Sequence, residues 1–170
     1  LKWKDTDQEN YLRNGEFYAL SNGLLPVIIE RLGGTPARVE EIVGRLDPNL
    51  LTLKPDDKWS IREEIGHLGD LEPLWYGRID DLVNGAAELR AADLTNQATH
   101  QANHNAAKTV SLLQRFREQR QAFVEKLLSL TDEQLERAAL HPRLKTPMRI
   151  VDLAYFVAEH DDHHLARVRG

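Results

Sequence analysis

The chain is predicted to be all-α, a four-helix bundle. Three observations predict this: apolar residues recur at helical spacing in four long segments, convincing strand alternation is missing, and three of the four segments follow recognisable helix punctuation. At 170 residues and 41% hydrophobic content, one domain over residues 1–170 with a sizeable core is expected.

A short amphipathic piece is expected around Glu9 to Leu20, before a first long helix over about Leu24 to Leu46. Gly33, Gly34 and Pro36 interrupt that segment, which predicts a kink or break. The second helix has the clearest start. Ser60 and Glu63 form a capping box with Trp59 as a staple residue, and the helix runs to about Val83 before Asn84-Gly85. A linker, Ala86 to Asn105, is rich in Ala, Asn, Gln and Thr, and the third helix spans about Ala106 to Leu130. Thr131 to Gln134 caps a brief extra turn. The loop His141 to Pro147 leads into the fourth helix, Met148 to Val168, with Thr146 as N-cap and Pro147 in the first turn. The long second connection leaves the topology open.

Charge excludes some functions. With 22 basic and 27 acidic residues the chain has a net charge of −5, against the positive excess that phosphate backbones select, so no nucleic-acid partner is expected. No apolar run nears the roughly 18 residues of a membrane span, and Leu1 to Asp7 lacks the apolar segment of a secretory signal. A cytoplasmic protein without a membrane partner is the expectation. The absence of cysteine removes thiolate ligands and a cysteine nucleophile, leaving nitrogen and oxygen to hold any metal.

Three of the seven histidines lie in Glu159-His160-Asp161-Asp162-His163-His164. At about 100° per residue, His164 joins the stripe of Ile150, Leu153, Ala154, Val157, Leu165 and Val168, with His160 at its edge, while His163 points to solvent. His67 shares an inward sector with Leu71 and Leu74. Three inward imidazoles each need a partner to offset desolvation, and one divalent cation could serve all three. His67, His160 and His164 are therefore the candidate metal ligands. His100 and His104 share the spacing without an apolar stripe, so a surface or linker role is expected for both, and His141 is expected in a loop near the bundle end, with a place in the lining of the site as the alternative. Glu72 lies on the apolar face and is the candidate catalytic carboxylate, against a plainer role as partner of an arginine such as Arg78 or one on the fourth helix. Asp161 is a candidate to orient an imidazole, Glu63 a cap and Asp70 a solvated charge.

The run Trp59-Ser60-Ile-Arg-Glu-Glu-Ile-Gly-His67-Leu-Gly-Asp-Leu-Glu72, then His141-Pro142, then Ala158-Glu-His160-Asp-Asp-His-His164-Leu-Ala resembles the DinB/YfiT superfamily over about residues 24–168. The resemblance implies an up-down-down-up bundle, a divalent metal on His67, His160 and His164, and a homodimer. Relatives include thiol-dependent S-transferases, a mycothiol-dependent maleylpyruvate isomerase and proteins described as metal-dependent hydrolases. Some carry glutamate as the middle ligand, where this chain has His160.

Three neutral nitrogens leave coordination positions open, which describes a catalytic site. Nickel or zinc is expected foremost, and iron, cobalt, copper and manganese also suit such ligands. The function expected is a metal-dependent thiol S-transferase, with a low-molecular-weight thiol as cosubstrate, or a hydrolase, acting on a small molecule. The alternative is a non-catalytic metal-binding dimeric module with a binding or stress-response role.

Overall fold

The computed structural model describes residues 20–56 and 58–169. The segment expected from Glu9 lies outside the described residues, apart from Leu20. Four long helices form the bundle: α1 (Leu25–Gly44), α2 (Ile61–Val83), α4 (Thr109–Leu128) and α6 (Ile150–Arg169). Two short ones, α3 (Gln97–Gln101) and α5 (Asp132–Leu135), lie in the connections. Among the described residues no helix is long and apolar enough to cross a membrane.

Side-chain pairings fix the helix directions. Arg149 Nη2 donates to Leu20 O (2.6 Å) and Thr35 Oγ1 to Asp161 (2.9 Å), so α1 and α6 run parallel. Arg62 meets Thr109 and Asp80 meets Lys126, so α2 and α4 are parallel too. Glu64 against His164 and Trp75 against Phe156 make α2 antiparallel to α6. Glu40 with Arg117 and Leu32 with Arg120 make α1 antiparallel to α4. The order is up-down-down-up, as expected, and the antiparallel pairs, α1 with α4 and α2 with α6, join long helices that are not consecutive.

Helix α2 starts at the expected capping box: Ser60 Oγ accepts from Glu63 N (3.2 Å), and Glu63 Oε2 accepts from Ser60 N (2.8 Å). Helix α1, by contrast, does not break. It continues through Gly33, Gly34 and Pro36. Proline at 36 cannot donate to the Leu32 carbonyl, and a buried acceptor without a donor would favour unwinding. Arg120 Nη1 donates to that carbonyl instead (3.2 Å).

The fourth long helix begins at Ile150 rather than Met148. Pro147–Met148 form a strand, β2, that pairs antiparallel with β1 (Ala139–Leu140). Asp152 takes the capping role expected of Thr146, its Oδ2 accepting from Arg149 N (2.9 Å). The third long helix starts at Thr109, because His104–Ala106 form a separate 3₁₀ turn after α3.

The apolar core has two parts. One gathers Leu32, Trp75, Ile79, Phe123, Leu153 and Val157, and the other Val39, Ile65, Leu68, Phe116 and Leu165. A polar layer crosses the bundle between them. Buried Arg120 lies between the rings of Phe116 (4.9 Å) and Phe123 (5.9 Å) and pairs with both Glu72 (2.5 Å) and Asp161. The histidines lie at the same level, where α2 and α6 face each other.

Candidate metal centre

His67 lies on α2, and His160 and His164 occupy successive turns of α6. Because the two helices are antiparallel, the three rings converge: one ligand atom from each lies within 4.8 Å of the others. The Nε2 atoms of His160 and His164 are 3.0 Å apart. Two nitrogens each about 2.0–2.1 Å from one cation would be roughly this far apart.

The outer nitrogens fix two tautomers. Thr99 Oγ1 donates to Asp70 Oδ2 (2.9 Å), so it accepts from His67 Nδ1 (2.9 Å), which must carry the ring proton. His164 Nδ1 donates to Glu64 Oε2 (2.5 Å), whose other oxygen pairs with Arg167 (2.9 Å). Both rings thereby present a lone pair on Nε2 to the centre, the orientation that metal-bound histidines derive from such partners. His160 Nδ1 is buried without a hydrogen-bond partner, and because His164 Nε2 carries no proton, the 3.0 Å contact between the two Nε2 atoms assigns the His160 proton to Nε2, from which a bound cation would displace it to Nδ1.

Burial keeps the rings neutral. It holds His67 down to about 4, against the opposing pull of Asp70. Burial first, then the neighbouring histidines, holds His160 and His164 well below the ordinary value. The donor set, its neutrality and the tautomers of His67 and His164 suit one divalent transition metal.

A second carboxylate stands behind this centre, Asp70, which is not a solvated charge. It accepts from Thr99, from His104 Nε2 (2.7 Å) and from Arg115 Nη2 (2.9 Å), and its side chain is 8% exposed. His104 is correspondingly buried rather than on the surface, while His100 is exposed as expected. Gly66 makes this possible, since a Cβ there would lie 2.3 Å from the His104 ring. The linker composition gave no sign of this packing.

Other expectations change as well. His163 is buried against the edge of His164 (5.2 Å between centroids), not turned to solvent, because the cleft wall continues onto that side of α6. Trp59 does more than staple a helix. Its ring lies 4.5 Å from that of His67 and 6.3 Å, stacked, from that of His164. Glu72 is paired with Arg120 of α4, not with Arg78 or an arginine of α6, and burial pushes its carboxyl up to about 7. Asp161 bonds Arg120 and Thr35 rather than an imidazole.

The histidines open onto a cleft of about 480 Å³ walled by Trp59, Leu71, Trp75, Leu94 and Phe156. A second cavity of about 230 Å³ adjoins it across Trp75 and Phe156 and includes His141.

The fold and site define a four-helix protein whose cleft is floored by a histidine triad compatible with metal binding. The DinB superfamily matches residues 31–168, and the chain belongs to it. A solved structure from Bacillus subtilis, described as YfiT, a probable metal-dependent hydrolase with an unusual four-helix bundle topology, is similar to this chain. The two are 24% identical with a TM-score of 0.75, over 88% of this chain and 86% of that one, a likeness of fold. No curated protein matches the sequence.

Proposed function

We propose that this chain is a metal-dependent enzyme acting on a small molecule, with His67, His160 and His164 holding one divalent transition metal. The observation that carries the reading is the pair of fixed tautomers. Thr99 and Glu64 each take the outer ring proton and leave the inner lone pair facing the other histidines. A divalent cation bound there supplies a Lewis acid that makes water or a thiol a better nucleophile near neutral pH.

The chain's own residues support two reactions of that kind, hydrolysis and transfer to a low-molecular-weight thiol. With no cysteine, the protein offers no thiol nucleophile of its own. Trp59 and Trp75 flank the imidazoles and give the approach to them apolar walls. Glu72 is engaged by Arg120 in the polar layer, and we assign it to holding α2 against α4 rather than to proton transfer at the substrate.

The test is turnover on a panel of activated esters, and of electrophiles offered with small thiols. Activity should disappear after chelation, return with zinc or nickel, and be lost in a folded His160→Ala variant. Turnover that survives complete metal removal would refute the proposal.

A further inference from the structure

The second cavity contains a cation whose charge the protein does not neutralise. Arg78 is 1% exposed, yet among the described residues no carboxylate forms an ion pair with it. Among the described residues its one protein hydrogen bond runs from Nε to Arg90 O (3.1 Å). The nearby acids are engaged elsewhere: Asp81 accepts from Arg90 N (2.8 Å), Nε (3.0 Å) and Nη2 (2.7 Å), and Glu88 pairs with Lys145 (2.5 Å). A buried, unpaired guanidinium is costly, and a structure retains one where something else completes it.

A second donor lines the same cavity. His141 Nδ1 accepts from the backbone N–H groups of Arg143 (3.3 Å) and Leu144 (3.2 Å), so the ring proton resides on Nε2. Arg143 stands exposed at the rim. The remaining wall is apolar: Trp75, Ala91, Leu94 and Phe156. Trp75 connects the two cavities, with Arg78 Cζ 5.5 Å from its ring and the His160 ring 5.6 Å from it.

We propose that this cavity is a subsite for a carboxylate, held by the guanidinium of Arg78 and the Nε2–H of His141. It fixes the acidic end of a substrate whose apolar body lies along Trp75 and Phe156 toward the histidines. The planar guanidinium fork matches a carboxylate, and a small cavity with one buried cation suits a monoanion better than a doubly charged phosphate. Burial lowers Arg78 to about 10, which leaves it charged at neutral pH, and holds His141 to about 4, which leaves it a neutral donor. The inference deepens the small-molecule reading of the cleft without depending on the metal.

The test uses the full chain, with and without added zinc, and follows binding of phenylacetate and of its neutral isostere phenylacetamide by nuclear magnetic resonance, including the Arg78 Nε–H signal. Phenylacetate should bind with or without zinc and shift the Arg78 signal. The amide should bind at least about tenfold more weakly, and Arg78→Gln should lose at least about tenfold in affinity for the acid. Equal binding of acid and amide, no saturable binding, binding only with zinc, or full affinity in a folded Arg78→Gln would overturn the proposal. If that variant does not fold, the acid-to-amide contrast and the Arg78 signal of the wild type decide alone.

Discussion

His67 and His164 work as a pair because of what lies behind them. Thr99→Val removes the acceptor for His67 Nδ1, and Glu64→Gln weakens the one for His164. Each change should lower metal affinity by about 10–100-fold while the fold persists, as read by competition with a chelating dye. Glu72 makes a different prediction. Its folded pKa of about 7 lies above the ordinary 4.5, so its contribution favours the folded state below pH 4.5 and is lost as pH rises toward 7. Glu72→Gln abolishes that loss. Between pH 5 and 8 the wild type should fall relative to the variant by on the order of 1–3 kcal/mol, measured by urea denaturation at each pH. The inward direction of the three converging histidines was legible because position on a helix dictates side-chain direction. Asp70 and His104 were not, since their partnership depends on the path of a loop that has no period to read.

At the scale of the helices, the feature hardest to foresee is the continuity of α1 through Pro36. Proline's effect on its own helix is local, but the group that relieves it, Arg120, comes from a helix more than eighty residues away. Arg120 therefore has three tasks: it bonds the Leu32 carbonyl and pairs with Glu72 and Asp161. Arg120→Met should cost about 3–5 kcal/mol in chemical denaturation, because two buried carboxylates lose their counter-charge. Arg117→Ala, which breaks the exposed pair with Glu40, should cost less than about 1 kcal/mol. The helix glycines separate in the same way. Gly66→Ala drives a Cβ into the His104 ring and should destabilise by about 1–3 kcal/mol, whereas Gly33→Ala meets nothing within 4 Å and should stabilise by about 0.5–1 kcal/mol. Thermal melts of the two variants check both signs. The capping box of α2 was readable because all its atoms lie within four residues. The start of α6 was misplaced because the hairpin of β1 and β2 claims Pro147 and Met148 first.

For the whole molecule, the up-down-down-up order matters because it sets α2 antiparallel beside α6 and brings residues nearly a hundred positions apart into one cluster. Periodicity predicted four helices, and only the family resemblance predicted their order, since a long connection permits several topologies. The two apolar clusters hold the ends of the bundle, and the polar layer between them leaves room for a cleft at mid-height. The most direct measurement is elemental analysis of tag-free protein purified without a nickel column, wild type beside His67→Ala and His160→Ala. About one equivalent of a transition metal in the wild type, lost in both folded variants, is the predicted result. A wild type that carries no metal and takes up neither nickel nor zinc would contradict a shared site on α2 and α6.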